Sequence, residues 1–197
     1  MSQPNIPGAS SLAKVAMRDQ ILTARRHRAL ASLGEDARAL STIALADPRV
    51  RAAATVAAYI SVGTEPGTGP LLEALVAAGK RVILPVLQPD NDLDWAAYDG
   101  TVVTARRGLL EPAGPRLGPE AIGSADVVLV PGVAVDAGGM RLGRGGGSYD
   151  RALARVLPGT WIAVLLFDEE IVTKVPIDPH DRSVHAAITP TQVIAFV

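Results

Sequence analysis

Four near-continuous apolar runs, spaced by helical and glycine-rich stretches, limit what this chain can become. They are TVAAYISV at 55–62, RVILPVL at 81–87, the run from Ala125 to Val135, and TWIAVLLF at 160–167. Runs without polar alternation suit strands buried on both faces, and such strands belong to parallel sheets flanked by helices. The first two are joined by Gly63-Thr64-Glu65-Pro66-Gly67 and the helical stretch LLEALVAAG. Strand, helix and strand in that order predict a βαβ unit with a right-handed crossover. Residues 93–99 read as a further, more exposed strand, 192–197 as a last one, and the Gly- and Pro-rich stretch 108–119 as a loop. Upstream, Ser11 caps a predicted helix from Leu12 to Leu33, stopped by Gly34, and a second helical stretch covers Glu35 to Leu45 before Pro48. The expected fold is α/β: a single three-layer domain with an open, mostly parallel sheet covered by helices on both faces. It spans residues 11–197, after a flexible leader at 1–10. Aromatics are only 4% of the chain against 48% hydrophobic residues, so Ala, Val, Leu and Ile must build the core.

Several classes of function are excluded early. A formal net charge of -1 argues against a nucleic-acid backbone or an anionic membrane as the main partner. The chain has no cysteine, which removes disulfides, zinc–thiolate sites and thiol nucleophiles. The first ten residues lack a signal-peptide pattern. No apolar run approaches the roughly 18–20 residues that cross a bilayer. The expectation is a cytoplasmic, monomeric protein acting on small molecules.

The chemistry is concentrated in VPGVAVDAGGMRLGRGGGSYDR, residues 130–151. Glycine occupies 138, 139, 143, 145, 146 and 147, after a buried strand and before a predicted helix from Tyr149 to Val156. Unobstructed backbone N–H groups there can converge on one anion. Arg141 and Arg144 add fixed positive charge in a geometry suited to phosphate oxygens. Asp150, in the first turn of the next helix, is placed to hold Mg²⁺ against that phosphate. The alternative, a flexible turn with solvated arginines, explains neither the two charges nor the strand and helix around them. The segment is not a Walker A loop, which would need Lys at Arg144 and Ser or Thr at Gly145. Nor does it carry the complete G-x-G-x-x-G dinucleotide pattern.

PGVAVDAGGMRLGRGGGSYDR resembles the signature of the 5-formyltetrahydrofolate cyclo-ligase family, PG-x-x-F/V-D-x-x-G-x-R-L-G-x-G-x-G-Y-Y-D-R. Flanking features follow the family's order. They are Lys14 and Arg18 as K-x-x-x-R, Tyr59 through Glu65 with Thr68, Gly79-Lys80-Arg81-Val82 with Leu84-Pro85, Gly108-Leu109-Leu110-Glu111-Pro112, and Val175-Pro176 before His180-Asp181. The resemblance implies an ATP- and Mg²⁺-dependent ligase that converts 5-formyltetrahydrofolate to 5,10-methenyltetrahydrofolate. ATP phosphorylates the formyl oxygen, N10 attacks the carbon, and phosphate leaves.

By the same resemblance, Lys14, Arg18, Arg141, Leu142, Gly143, Arg144, Gly145, Gly146, Gly147, Ser148 and Tyr149 contact ATP. Ile60 and Glu65 contact the folate, together with Arg144 to Ser148. Arg144 and Tyr149 are the catalytic candidates, and Asp150 and Asp181 the Mg²⁺ ligands. The i, i+4 spacing puts Lys14 and Arg18 on one helix face. Trp95 and Tyr98 are expected to pack in the core or at its rim. His180 and His185, scattered on a Pro-bounded loop, do not make a transition-metal site. Ser148 departs from the family's Tyr-Tyr pair, Gly146 stands where some relatives carry Lys, and Val135 where Phe is frequent. Two alternatives keep the sheet but change the function: a non-catalytic nucleotide or folate binding module, and a sugar-phosphate isomerase or CoA-transferase-like enzyme.

Overall fold

The computed structural model describes residues 9–105, 109–179 and 181–196. The readings that fall on residues 1–8 of the leader, Gly108, His180 and Val197 lie outside the described residues. Among the described residues, five α-helices and twelve strands follow in order: α1 (Ala9–Arg26), α2 (Leu30–Ala46), α3 (Pro48–Ala52), β1 (Thr55–Ala57), α4 (Gly69–Ala77), β2 (Arg81–Leu87), β3 (Leu93–Tyr98), β4 (Val102–Thr104), β5 (Leu110–Pro112), β6 (Val127–Pro131), β7 (Ala134–Asp136), β8 (Arg141–Leu142), α5 (Ser148–Leu153), β9 (Trp161–Leu165), β10 (Ile171–Val172), β11 (Ala186–Ile188) and β12 (Val193–Ala195).

The main sheet has the order β12-β11-β9-β6-β1-β2-β3. Its interior is parallel, and each edge strand is antiparallel to its neighbour. Because side chains alternate across a strand, each apolar run feeds two cores. Val56, Val82, Leu84, Val127 and Leu129 point to the face covered by Leu40 and Ala44 of α2, Val50 of α3, and Leu71 and Leu75 of α4. Ala57, Ile83, Val128, Val130 and Val164 point to the other face, covered by Ile122, and by Ala152 and Leu153 of α5. This is the expected three-layer arrangement.

β1 sits between β2 and β6, so the chain leaves it in one direction through α4 and returns later on its other side. The carboxyl ends of β1 and β6 therefore flank a topological switch point, where open α/β sheets place their ligand crevice.

Several local expectations are corrected. The first helix does not run to Leu33: it ends at Arg26, and Gly34 lies inside α2. Tertiary anchors decide the break. Arg25 is buried in an ion pair with Glu170. Arg28 stacks 3.8 Å from the Phe167 ring centroid and pairs with Asp36 and Glu169. A glycine inside a helix costs only about 1 kcal/mol, so Gly34 is tolerated within α2. The run Ala125 to Val135 is two strands in different sheets. Gly132 divides them, packed so closely that an added Cβ would lie 2.5 Å from Val164 Cγ2. Beyond it, β7 joins β10 and β8 in a small second sheet.

The stretch read as loop holds β5, which forms a hairpin with β4. β3 is not exposed: Trp95 is fully buried, because the backbone of Pro115 and Leu117 bonds along its outer edge. β11 carried too short an apolar pattern to be expected. The first run is a ladder only over its first three residues, and the rest continues toward the crevice.

Candidate functional site

The site begins with α1. Met17, Ile21 and Leu22 of this helix pack on the small sheet, against Val133, Ala134, Leu142 and Val175. That contact turns the face bearing Lys14 and Arg18 toward the crevice. Arg18 Nε donates to the Gly143 carbonyl at 2.8 Å, joining α1 to the glycine loop. Lys14 donates to Asp178 at 2.7 Å and also to Asp181. Burial opposes the lysine's charge, but these hydrogen bonds outweigh it and hold its pKa above the ordinary value.

The glycine loop is built on Asp136 at the end of β7. Its carboxylate accepts from the N–H groups of Gly138, Met140 and Val175, each at 3.0 Å, fixing the turn at its base. Arg141 comes back along β8, almost fully buried, and donates to Asp150 at 2.9 Å and to the Pro131 carbonyl at 3.2 Å. Its guanidinium carbon lies 5.9 Å from the Tyr149 ring centroid. Arg144 Nε donates to Glu65 at 2.8 Å, and the other Glu65 oxygen accepts from the Val62 N–H at 2.7 Å. Gly147 enters α5 at φ 68, a left-handed conformation that favours glycine. α5 has only six residues, so the positive potential here comes from the arginines more than from a helix dipole.

These segments enclose one cleft of ≈ 680 Å³ at the carboxyl ends of β1, β2 and β6. The residues expected to contact ATP, folate or Mg²⁺ line it: Lys14, Arg18, Ile60, Glu65, the whole stretch from Arg141 to Asp150, and Asp181. Burial pushes the Tyr149 phenol well above its ordinary pKa, with Glu65 adding to the shift. Tyr149 is thus a neutral hydrogen-bond donor and acceptor, not a base.

A divalent cation would meet two carboxylates here, which Arg141 and Lys14 hold in the cleft. Asp150 and Asp181 are both cleft carboxylates, and among the described residues no group of three or more His, Cys, Asp or Glu could hold a metal. Two hard oxygen ligands without a closed cage fit Mg²⁺, which keeps waters and shares its shell with phosphate. His185 faces elsewhere: its Nδ1 accepts from the Ile162 N–H at 3.0 Å.

Several cleft residues escaped the sequence reading. Asp178 shares Lys14 with Asp181. Asn91, at φ 64, reaches the cleft from the β2–β3 turn, its carbonyl held by Arg151. Tyr59 lines the cleft although it is only 3% exposed. Arg25 carried no expectation, yet it lies on the same helical face as Lys14 and Arg18, and that spacing was the available signal.

Comparison with known proteins points one way. A profile of the 5-formyltetrahydrofolate cyclo-ligase family matches residues 10–190. A 5-formyltetrahydrofolate cyclo-ligase of Mycolicibacterium smegmatis is 44% identical over 146 residues, 71% of this chain and 75% of that protein. One from Escherichia coli K12 is 37% identical over 151 residues, 74% of this chain and 83% of that protein. The solution structure of Aquifex aeolicus 5,10-methenyltetrahydrofolate synthetase superposes with a TM-score of 0.79 at 25% identity, covering 92% of each chain.

Proposed function

The chain belongs to the 5-formyltetrahydrofolate cyclo-ligase family, and from that premise we propose that it makes 5,10-methenyltetrahydrofolate from 5-formyltetrahydrofolate, forming a C–N bond while ATP is converted to ADP and phosphate. The observation that carries the ATP-dependent reading is convergence. Four cations, Lys14, Arg18, Arg141 and Arg144, and two carboxylates, Asp150 and Asp181, line one cleft around a glycine loop.

The formyl oxygen on N5 is a poor leaving group. Its attack on the γ-phosphorus breaks the bond to the β–γ bridging oxygen, releases ADP and leaves the oxygen as a phosphate ester. N10 then attacks the formyl carbon, the C–O bond breaks, and phosphate departs with the N10 proton. The protein's part is positioning and charge neutralisation. Lys14 and Arg18 hold phosphate oxygens from α1, while Arg141 and the loop N–H groups hold them from the opposite side. Arg144 reaches from Glu65 toward the oxygen that is phosphorylated. Tyr149 donates from its neutral phenol, and Ile60 and Glu65 seat the folate ring. Asp150 and Asp181 would hold Mg²⁺, which would supply charge compensation on the transferring phosphoryl group.

The test mixes protein, Mg²⁺, ATP and 5-formyltetrahydrofolate and follows methenyl absorbance together with phosphate release. Turnover requiring all three is expected. Asp150→Ala is expected to lower kcat by about 100-fold or more while leaving folate binding nearly unchanged. No affinity for magnesium-ATP in the native protein would overturn the reading, and near-native turnover by the variant would clear Asp150.

A further inference from the structure

Tyr59 carries an anomaly. It is 3% exposed, and its hydroxyl oxygen is buried with no hydrogen-bond partner among the described residues. A buried hydroxyl left unpaired is destabilising, and phenylalanine would fill the same space without that cost. Yet the residue is not sealed in the core. It stands just past the last ladder residue of β1, at the switch point, and lines the cleft. Its electrostatic neighbours are Glu65 and Tyr149, which line the cleft, and the buried Arg25 and Glu170.

We propose that the Tyr59 hydroxyl is a specificity-determining contact, donating a hydrogen bond to a carbonyl oxygen of the pterin-type ring seated beside Glu65. The proposal rests on the folate reading of this cleft and extends it to a residue to which the resemblance assigned no role. Glu65 is an acceptor held rigid by Arg144 and the Val62 N–H, with lone pairs to spare for ring N–H donors. A pterin edge presents N–H donors next to a carbonyl acceptor, so its complement is a carboxylate next to a hydroxyl donor. Tyr59 supplies that donor. Burial, with Glu65 and Tyr149 adding, holds its phenol well above the ordinary pKa, so the proton is present throughout the working range.

The experiment compares native protein with Tyr59→Phe. The dissociation constant for 5-formyltetrahydrofolate is measured by equilibrium dialysis, alongside KM for each substrate, kcat and Tm. The expected result is roughly 5- to 150-fold weaker folate binding, the range for one lost hydrogen bond that leaves its acceptor buried. KM for ATP should stay within about twofold and Tm should be unchanged or higher, because an unpaired buried hydroxyl has been removed. With tyrosine labelled at the ring Cζ, one carbon resonance absent from Tyr59→Phe should move on adding the folate and stay put on adding magnesium-ATP. Folate affinity within twofold of native would overturn the proposal. So would a fall in Tm with both substrates weakened together, which would make the hydroxyl an interior partner of Arg25. Native protein that binds no reduced folate at all would sink the folate reading itself, a result distinct from native binding that Tyr59→Phe leaves intact.

Discussion

Arg144 has a side chain 49% exposed, while the carboxylate it grips, Glu65, has a side chain only 7% exposed. Contact with a buried partner aims an otherwise mobile cation into the cleft, and the bond adds little to folding because one end is solvated. Arg144→Ala should therefore leave Tm nearly unchanged while raising KM for ATP about tenfold or more, as expected for a lost charge-assisted hydrogen bond. Steady-state kinetics with a melting curve checks this, and unchanged kinetics would clear the residue of any role. At this scale the glycine loop, its arginines and Asp150 were legible in the sequence because they are contiguous. Lys14, Arg18, Glu65 and Asp181 were legible only through the family pattern. Tyr59 and Asp178 were not legible, since what distinguishes them, burial without a partner and a shared lysine, arises from segments more than a hundred residues apart in the chain or from the packing itself.

Among the elements, α1 carries two cleft cations but rests on the small sheet through few apolar side chains. Its C-terminal end is fastened instead by Arg25, which donates to both oxygens of Glu170 at 2.6 and 2.7 Å and to the Gly132 carbonyl at 2.8 Å. Glu170 in turn accepts from the Phe167 N–H. Removing one member of such a pair leaves a buried uncompensated charge. Arg25→Met should cost about 3–5 kcal/mol in denaturant unfolding, and Arg25→Met with Glu170→Leu should recover part of that loss. A single variant as stable as the native protein would show that the pair is not what anchors α1. The apolar runs identified β1, β2, β6 and β9 because burial on both faces leaves a compositional mark. The three-residue strands β4, β5 and β11 leave none, and the end of α1 was misplaced because long-range pairing of Arg25 and Arg28 outweighs the local signal of Gly34.

For the molecule as a whole, the three-layer architecture followed from alternating strands and helices, and the crevice followed from the strand order around β1. The small sheet did not, because Gly132 diverts a single apolar run out of one sheet and into another by close packing alone. That diversion lets α1 and the glycine loop form the far wall of a cleft whose near wall is the main sheet. The walls carry four cations, Lys14, Arg18, Arg141 and Arg144, and five carboxylates, Glu65, Glu111, Asp150, Asp178 and Asp181, among the described residues. Such a mouth is almost electrically neutral from a distance, so it projects no funnel for a polyanion diffusing in solution. Capture of a nucleotide then proceeds by swapping partners at contact range, and its association rate, measured by stopped flow, should change little between low and physiological ionic strength, where a net-positive cleft would lose much of its speed.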